Sequence, residues 1–509
     1  MQANFLRLFW LALSMFATLF STQSLLVLCA GALAVLGFAP YNLFILPWLA
    51  LAVLCYVWQQ ASTPKQAFWL GFSFGLGLYC VGIYWIYISL HDFGGMPWWF
   101  AGFCTFCLCA FMALFPALVG YLSKRMGWML WSMPVLWGLS DWVRSWIFTG
   151  FPWLTMGYSQ VPHSPLAGYM PVVGVYGVSV LVAFFGVLLA LSFSHFRQKT
   201  RLQPYVPIVL ISLLTAGAVL NTLEWTKPVG KPLTVALLQG NIAQSIKWSP
   251  ESAQTTISQY LNMMQAADAP LIVMPETALP IIYSELEPYV KDALVAKAKQ
   301  HQGAVVVGMI EHDPSSGDYF NSAIGFDAAG VQSYRKNHLV PFGEFIPFKA
   351  VFGWIYRDWL NMPLSDLSRG GAHQMPMPLA NQQVAMNVCY EDVFGEEIIR
   401  QLPQATLLVN VSNDAWYGQS FAAVQHMQFS QARALETGRE VLRATNTGAT
   451  VHINQHGHVL AHAPHDVKTT LTVQAQGFAG STPYVRWGNW PFVLTCFGVI
   501  AFVIRRKNK

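Results

Sequence analysis

Long apolar stretches without a charged residue dominate the first 223 residues of the chain. A helix needs about 20 apolar residues to cross a bilayer, because lipid offers no hydrogen-bond partner to backbone amides outside a helix or a closed barrel. The pattern predicts a polytopic α-helical membrane domain of about eight spans, near residues 20–39, 42–59, 66–90, 97–122, 128–147, 168–195, 203–223 and 488–504. Residues 5–19 either extend the first span or lie along the membrane surface, with a ninth span as the alternative.

From residue 232 onward, the pattern changes to short apolar runs that alternate with amphipathic ones. The apolar runs predict strands at residues 232–241, 269–277, 303–311, 384–392, 406–414, 441–446, 449–454 and 458–463, and a hairpin with its exit loop over 321–342. The amphipathic runs predict helices at residues 249–266, 285–302, 394–401 and 422–439. Strands that are apolar throughout are buried on both faces. The alternation therefore predicts an α/β domain in which helices cover stacked sheets.

Composition supports this division of the chain. Charged residues make up only 10% of it, where soluble domains carry roughly 25%. This deficit excludes an ordinary cytosolic enzyme, a disordered chain and a protein that binds nucleic acid through a basic face. Residues 1–223 hold eight Lys or Arg and two Asp or Glu, whereas residues 224–504 hold 17 Lys or Arg and 22 Asp or Glu. We predict a membrane domain over 1–224, a soluble domain over 225–486, and a final span with a basic tail over 487–509.

The basic residues of the membrane domain also predict its orientation. Cytoplasmic loops carry an excess of Lys and Arg. With eight spans, all the following groups lie on one side: Arg7; Lys65; Lys124 and Arg125; Arg197, Lys199 and Arg201; and Arg505, Arg506 and Lys507. We therefore expect a multi-pass protein of the inner membrane with its C-terminus in the cytoplasm and its soluble domain in the periplasm. A ninth span would place Arg7 on the opposite side, against the rule.

Two features of the membrane domain have more than one interpretation. Asp141 and Arg144 lie three residues apart on a predicted span, and either touch a substrate or form a structural ion pair. Closely spaced glycines also occur, and they predict close helix packing rather than a phosphate-binding loop, since no strand precedes them and no Lys follows. These glycines are Gly71, Gly75, Gly77 and Gly82.

Three polar residues follow predicted strands of the soluble domain: Glu276, Lys336 and Cys389. Strand ends are where α/β folds collect their catalytic groups. A thiol becomes a nucleophile when a base takes its proton, and the oxyanion of an acyl-transfer intermediate needs a cation or an amide donor. Cys389 is the only cysteine of the soluble domain, and its alternative role is a buried structural thiol. No Ser-His-Asp set or zinc motif competes with this combination.

Five histidines near the end of the soluble domain could suggest a metal site. Gly457 lies among them, between two alternating runs, and this pattern is typical of a β-hairpin. We therefore predict a hairpin with outward-facing histidines and no metal site. The histidines are His452, His456, His458, His462 and His465.

The sequence around the candidate catalytic residues resembles the nitrilase (carbon–nitrogen hydrolase) superfamily. The segments GNIAQSIKW, KNHLVPFGEFIP, NVCYED and VSNDAWYG narrow the resemblance to the apolipoprotein N-acyltransferase family. It implies a nitrilase-like αββα sandwich with Cys389 as the nucleophile, Glu276 as the general base and Lys336 as the oxyanion-stabilising cation. It further implies supporting or substrate-binding roles for four residues and no metal or organic cofactor. The four are Trp248, Glu344, Tyr390 and Glu391.

The resemblance also implies a reaction and its partners. An acyl chain would pass from the sn-1 position of a phospholipid to Cys389, where it would form a thioester. The phospholipid would be phosphatidylethanolamine, as it is in the family. The α-amino group of a diacylated (S-diacylglyceryl-cysteine) apolipoprotein would then accept it, which is the last step of lipoprotein maturation. We expect a monomer without a nucleic-acid partner. The competing classes are a membrane-tethered amidase or nitrilase, and a transporter or sensor that binds a ligand in its soluble domain.

Aromatic residues crowd the stretch between Lys336 and Cys389, where charges are few. We call this stretch the aromatic arm and define it by Phe342, Phe345, Phe348, Phe352, Trp354, Tyr356 and Trp359. Such a composition is expected of a segment that dips into the lipid interface. The alternative is that these side chains cover the core of their own domain.

Overall fold

The structure, a computed structural model, describes residues 21–247, 249–300, 302–350, 353–354 and 366–507. Some of our sequence predictions concern residues outside these ranges: residues 5–19, Trp248, and Phe352, Tyr356 and Trp359 of the aromatic arm. The chain divides into two compact units. The first contains the described residues up to Tyr84, Gly102–Leu223 and the chain from Asn489 onward, and the second contains Trp85–Ala101 and Glu224–Gly488.

The first unit is helical. Its helices are α1 (Thr22–Ala34), α2 (Ile45–Gln60), α3 (Pro64–Gly82), α5 (Trp98–Met126, whose first residues belong to the second unit), α6 (Met129–Arg144), α7 (Met170–Arg197), α8 (Tyr205–Leu220) and α14 (Trp490–Lys507). The short helix α4 (Trp85–Ile88) belongs to the second unit and continues as a π-helical turn, Ser89–Phe93.

Among the described helices, two are long and apolar enough to cross a membrane, Trp98–Met126 and Pro165–Arg197. A third candidate is the pair Pro64–Gly82 and Trp85–Phe93, which is bent by 51°. Shorter apolar helices are Thr22–Gly37, Ile45–Gln60 and Tyr205–Leu220. The apolar, helical character of this region is thus confirmed, whereas the count of eight spans stays a prediction. The single span that we expected over 66–90 is wrong in one respect, because its helix is broken after Gly82.

The glycines of α3 allow backbones to approach closely, as the sequence predicts. A Cβ atom on Gly77 would overlap the carbonyl oxygen of Leu28 in α1, and one on Gly75 would lie 2.6 Å from the Cα atom of Ala113 in α5. A side chain at Gly71 would likewise meet the backbone at Pro116. Small residues at such contacts let membrane helices gain packing energy where lipid supplies no hydrophobic driving force.

Asp141 and Arg144 form a buried ion pair, with 2.9 Å between Asp141 Oδ1 and Arg144 Nη2. The same guanidinium donates to the carbonyl oxygens of Phe151 (2.9 Å) and Trp153 (2.6 Å) and to the hydroxyl of Thr155 (3.1 Å). The pair therefore fixes the turn that follows α6. These contacts favour the structural interpretation of the pair over direct contact with a substrate.

Replacing Asp141 with Asn is expected to destabilise the protein by about 3–5 kcal/mol, because it leaves a buried guanidinium without its counter-charge. Thermal unfolding of the detergent-solubilised protein would measure this loss. Asp92→Asn is the matched control, since Asp92 is half exposed and lies 3.9 Å from its partner His91. Equal unfolding temperatures for Asp141→Asn and the unaltered protein would contradict a structural role for the pair.

The second unit contains two six-stranded sheets with the strand orders β12-β1-β2-β3-β4-β5 and β11-β10-β9-β8-β7-β6. The strands of the first sheet are β1 (Thr226–Gln239), β2 (Leu271–Val273), β3 (Ala304–His312), β4 (Tyr319–Asp327), β5 (Val331–Arg335) and β12 (Thr469–Gly480). Those of the second are β6 (Met377–Leu379), β7 (Gln382–Val388), β8 (Leu407–Ser412), β9 (Val441–Thr445), β10 (Val451–Ile453) and β11 (Val459–His462). The central strands, β1 to β3 and β7 to β9, are parallel.

The two sheets pack face to face, and helices cover their outer faces. The core between the sheets includes Val235 and Val273 from the first and Met386 and Val409 from the second. The helices are α9 (Pro250–Ala266) and α10 (Pro288–Gln300) on the first sheet, α11 (Gly395–Ile398) and α12 (Ala422–Thr437) on the second, and the short α13 (Pro483–Trp487). The expected helix–sheet–sheet–helix layering is confirmed. Strands β6 and β12 are additions to the predicted set.

The histidine-rich segment forms the predicted hairpin, β10 and β11, with Gly457 at its turn (φ 79°). The expectation that all five histidines face outward is wrong for His452. Its side chain is buried, and its Nε2 atom lies 2.7 Å from Glu440 Oε2, because strand β10 pairs with β9 and turns this position inward. Within the described ranges, no group of three or more His, Cys, Asp or Glu residues is placed to hold a metal ion.

Candidate active site

The fold brings the three strand-end residues of the sequence analysis into one buried site. Glu276 follows β2 by three residues, Lys336 directly follows β5, and Cys389 directly follows β7. Each side chain is largely shielded from solvent, and Lys336 is only 1% exposed. Prolines 270 and 275 flank β2 and cannot donate to the sheet, so this strand is shorter than predicted and Glu276 lies in the turn beyond it.

Lys336 lies between two carboxylates. Its Nζ atom is 3.4 Å from Glu276 Oε1 and 2.8 Å from Glu344 Oε2. Asn321 Nδ2 donates to both carboxylates, at 2.7 Å each. Burial disfavours the charge of Lys336, but the carboxylates of Glu344 and Glu276 outweigh this effect and raise the pKa of its ammonium above the usual range. Lys336 is therefore a fixed cation at neutral pH.

Cys389 has an unusual backbone, with φ at +54°. A left-handed conformation at a non-glycine residue costs free energy and persists where its surroundings enforce it. Here the carbonyl oxygen of Cys389 accepts hydrogen bonds from Asn410 Nδ2 (3.1 Å) and His426 Nε2 (3.2 Å). The change of direction ends β7 at Val388, before the residue 392 that the sequence predicts, and separates the thiol from the strand.

The surroundings of Cys389 favour the neutral thiol at rest. Burial raises its pKa well above the usual range, the charge of Glu276 raises it further, and the Lys336 ammonium opposes both. A nucleophilic thiolate therefore requires a base that takes the proton as the reaction proceeds. The Glu276 carboxylate is held beside Lys336, and its charge acts on the Cys389 thiol.

Glu391 ties the segment after Lys336 to the end of strand β7, directly before Cys389. One carboxylate oxygen accepts from the backbone N–H groups of Asn337 (2.7 Å) and His338 (3.1 Å), and the other accepts from Val388 N–H (2.8 Å). The Tyr334 hydroxyl donates to the same carboxylate at 3.1 Å. Burial raises the pKa of Glu391 to about 7, although these backbone donors favour its charged form.

The remaining predicted site residues that the structure describes lie beside this group. Val340 N–H donates to Glu344 Oε2 at 2.8 Å, which fixes the carboxylate that binds Lys336. The Tyr390 ring packs edge-on against Phe394, with 5.0 Å between the ring centroids, and against His338. Glu276, Lys336, Cys389, Glu344, Tyr390 and Glu391 are thus all buried or half-buried around one site.

A second buried lysine belongs to the site and was missed by the sequence analysis. Lys247 Nζ donates to the backbone oxygen of Glu276 (3.2 Å) and to Thr277 Oγ1 (2.6 Å). Burial lowers the pKa of Lys247 to about 8, while the charges of Glu276 and Cys389 oppose this shift. The segment GNIAQSIKW pointed to this part of the chain, but the resemblance implied a role for Trp248 rather than for the preceding lysine.

Behind Cys389 lies a buried network of charges that the sequence analysis also missed. His426 lies 2.9 Å from both Asp392 Oδ1 and Asp414 Oδ1, and Arg443 reaches Asp392 Oδ2 (2.7 Å) and Asp414 Oδ1 (3.1 Å). Although burial opposes ionisation, Arg443 and His426 lower the pKa of Asp414 to about 2. The two carboxylates in turn raise the pKa of His426 despite its burial. These four side chains thus form one buried network beneath the carbonyl group of Cys389.

Residues 85–101 pack against the loop that follows β8. Ser89 Oγ donates to the carbonyl oxygen of Trp416 at 2.7 Å, and the Trp85 ring meets Tyr417 edge-on, with 4.7 Å between centroids. Phe93 contacts Trp416 at 6.0 Å. These contacts explain why the predicted span over 66–90 does not continue as one helix: its last residues belong to the second unit and pack against the loop after β8.

The described members of the aromatic arm differ in their burial. Phe345 packs against the buried cluster of Ile310, Leu339 and Leu367, so it covers the core of its own domain. Phe348 is 62% exposed and Trp354 is 47% exposed, and contact of the arm with lipid stays a prediction. Three further members lie outside the described residues: Phe352, Tyr356 and Trp359.

A buried carboxylate, ammonium and thiol at the strand ends of a four-layer sandwich are typical of the nitrilase-like (carbon–nitrogen hydrolase) class of enzyme. Residues 234–484 match the carbon-nitrogen hydrolase family, which confirms the nitrilase-like fold that the resemblance implied. Residues 30–188 match a second family, the apolipoprotein N-acyltransferase N-terminal domain.

Curated relatives extend the likeness to nearly the whole chain. Apolipoprotein N-acyltransferase from Nitrosomonas europaea is 49% identical over 94% of this chain and 97% of its own length. The corresponding proteins of Chromobacterium violaceum and Methylococcus capsulatus are 43% and 40% identical, over 93% and 95% of this chain and 92% and 96% of their own lengths. The chain belongs to the apolipoprotein N-acyltransferase family and is an enzyme of the acyltransferase class.

Proposed function

We propose that this enzyme transfers an acyl chain from the sn-1 position of a phospholipid to the N-terminal amine of a diacylated apolipoprotein, through a thioester on Cys389. The observation that carries the proposal is the buried group of Glu276, Lys336 and Cys389, in which 3.4 Å separates the carboxylate from the ammonium. Phosphatidylethanolamine is the donor that the family resemblance implies. The reaction needs no metal and no organic cofactor.

In the first half-reaction, the Glu276 carboxylate takes the proton of the Cys389 thiol as sulfur attacks the ester carbonyl carbon. The ester oxygen becomes an oxyanion, and the Lys336 ammonium stabilises its charge. Collapse of this tetrahedral intermediate breaks the bond to the glycerol oxygen. Glu276 returns its proton to that oxygen, and a lysophospholipid leaves while the acyl chain stays on sulfur.

In the second half-reaction, the α-amino group of the acceptor attacks the thioester carbon. Lys336 again stabilises the oxyanion, and Glu276 accepts a proton from the attacking nitrogen. The carbon–sulfur bond then breaks and Glu276 returns the proton to the sulfur atom, so that an amide is formed and the Cys389 thiol is regenerated. A thioester suits this exchange, because amines attack it readily while a buried site limits hydrolysis by water.

Supporting this proposal, the helical, apolar half of the chain suits two lipid substrates. A soluble enzyme would have to extract an acyl chain from the bilayer at a cost of about 0.8 kcal/mol per CH₂ group. An enzyme anchored in the membrane avoids most of this cost. The alternate-loop distribution of Lys and Arg favours an inner-membrane protein with its catalytic domain in the periplasm and a cytoplasmic C-terminus.

The experiment that tests the proposal follows the labelled acyl chain of a phospholipid. The purified enzyme, phosphatidylethanolamine labelled in its sn-1 chain and a diacylated lipopeptide are expected to yield a labelled triacylated lipopeptide and an unlabelled lysophospholipid. Label in the sn-2 position should remain in the lysophospholipid. Release of labelled free fatty acid without acylated peptide would instead identify the enzyme as a hydrolase and contradict the proposal.

We expect the exposed part of the aromatic arm to promote binding of the lipid substrate. Replacing Phe348 and Trp354 together with Ser should lower kcat/KM for phospholipid about tenfold, because less apolar surface contacts the acyl chains or the interface. Steady-state turnover in mixed micelles would measure this effect. Tyr289→Ser, at another exposed aromatic residue of the second unit, is the matched control. Unchanged turnover of the double variant would remove the arm from the mechanism.

A further inference from the structure

Glu276, the proposed base, lies in a turn whose backbone is strained. The next residue, Thr277, has φ at +45°, which is uncommon for a β-branched residue. On one side this turn is held by β3: Ala278 N–H donates to the oxygen of Gly308 at 2.9 Å, and a Cβ atom on Gly308 would lie 2.6 Å from Glu276 Cα. Gly308 therefore admits the turn because it has no side chain.

On its other side, the turn is held by one side chain, that of Lys247. Its ammonium donates to the Glu276 carbonyl oxygen (3.2 Å) and to the Thr277 hydroxyl (2.6 Å), and the residue is only 1% exposed. Both acceptors are neutral, so hydrogen bonds alone do not compensate the charge of a buried ammonium. The charge of Glu276 acts on Lys247 at rest, and a thiolate at Cys389 adds to it as it forms.

We propose that Lys247 is a positioning residue of the active site, which clamps the Glu276–Thr277 turn and adds a second cation beside Cys389. Glu276 and Glu344 place two negative charges around the single ammonium of Lys336. The positive charge of Lys247 compensates the excess negative charge, and this compensation stabilises the thiolate as it forms. The role rests on the proposed function of Cys389 as the nucleophile, but it concerns the reactivity of the thiol rather than the identity of the acyl donor.

Alkylation of Cys389 by iodoacetamide tests this role without any lipid substrate. The rate at the peptide that contains Cys389, followed by mass spectrometry of the full-length protein, reports the thiolate fraction. Lys247→Met is expected to lower this rate about tenfold at pH 7, which corresponds to a rise of one unit in the pKa of the thiol. Lys247→Arg keeps the charge and should restore the rate to within about threefold.

The pH profile separates an electrostatic role from a purely structural one. Because the pKa of Lys247 is lowered to about 8, its charge is present below pH 8 and is lost above it. The ratio of the wild-type rate to the Lys247→Met rate should therefore fall from about ten at pH 7 toward one above pH 9. A ratio that stays at one, or one that does not change with pH, would overturn the proposal.

The matched control is Lys297→Met, which removes another buried lysine whose ammonium donates to the carbonyl oxygen of Gln265 (3.0 Å) rather than to the active-site turn. Its alkylation rate is expected to equal that of the wild type. Should Lys247→Met fail to fold, Lys247→Gln keeps a donor without the charge and is expected to show the same pH-dependent loss. If alkylation behaves as described but phospholipid acylates no residue, the proposed function fails while the role of Lys247 stands.

Discussion

Replacing Cys389 with Ser is expected to lower acyl transfer at least about 10⁴-fold, the scale on which the loss of a nucleophile acts in covalent catalysis. A serine hydroxyl is far less acidic than a thiol, and Glu276 is a carboxylate base that cannot ionise it to a useful extent. The oxygen atom is smaller than sulfur but fits the same site, so the fold should persist. Transfer from phospholipid to a diacylated lipopeptide would measure the loss, with thermal unfolding as the test of folding.

Cys496→Ser is the matched control for this substitution. Cys496 is also a buried cysteine, but it lies in α14 of the first unit. We expect its activity to remain within about twofold of the wild type. In cells, Cys389→Ser should accumulate diacylated lipoprotein. Normal N-terminal acylation by the Cys389→Ser variant would show that another residue is the nucleophile.

Replacing Lys336 with Met is expected to slow acyl transfer at least about 10³-fold. Loss of a single oxyanion donor typically costs 10²–10³-fold in rate. Here the same change also removes the cation that separates Glu276 from Glu344, which lie 3.4 and 2.8 Å from its Nζ atom. Without it, repulsion between the two carboxylates favours protonation of one of them, and a protonated Glu276 cannot act as a base.

Single-turnover formation of the acyl-enzyme would measure the loss of Glu276 as a base in Lys336→Met, because it isolates the step in which Glu276 and Lys336 act together. Lys336→Arg keeps the charge with a different shape, and we expect it to retain more activity than Lys336→Met. Lys297→Met controls for the removal of a buried ammonium elsewhere in the domain. Wild-type acylation rates in Lys336→Met would exclude this lysine from oxyanion stabilisation.

The fold of the second unit could be predicted in large part from local pattern. Its central strands are apolar throughout because both faces are buried, and such runs are visible in a sequence. Helix α9 likewise covers Pro250–Ala266, within one residue of the predicted range of 249–266. Strand β12 was not predicted, since its burial alternates irregularly and its pairing with β1 joins residues more than 200 positions apart.

The candidate site was predictable where its residues stand at strand ends. Glu276, Lys336 and Cys389 were found in this way, and their neighbours Glu344, Tyr390 and Glu391 through the resemblance. The buried charge network beneath Cys389 was not predicted, because His426 lies within helix α12 and Arg443 within strand β9. Nothing in their local sequence distinguishes these two residues from ordinary solvated side chains, and only the tertiary fold brings them beneath Cys389.

The membrane half shows a different limit of sequence patterns. Hydropathy identifies apolar stretches, but it does not show where a helix is broken. The stretch over 66–90 is continuous in hydropathy, yet its helix ends at Gly82 and the chain bends by 51° into Trp85–Phe93. Contacts of Trp85 and Ser89 with the loop after β8 account for this difference, and they lie more than 320 residues away along the chain.

The central claim is that one sulfur atom carries the acyl group between the two substrates. Mass spectrometry of the purified enzyme after incubation with phospholipid alone tests it most directly. We expect the mass of a single acyl chain on the peptide that contains Cys389, and its disappearance when a diacylated lipopeptide is added. An enzyme that acylates the lipopeptide at full rate but never carries an acyl chain on Cys389 would contradict the account.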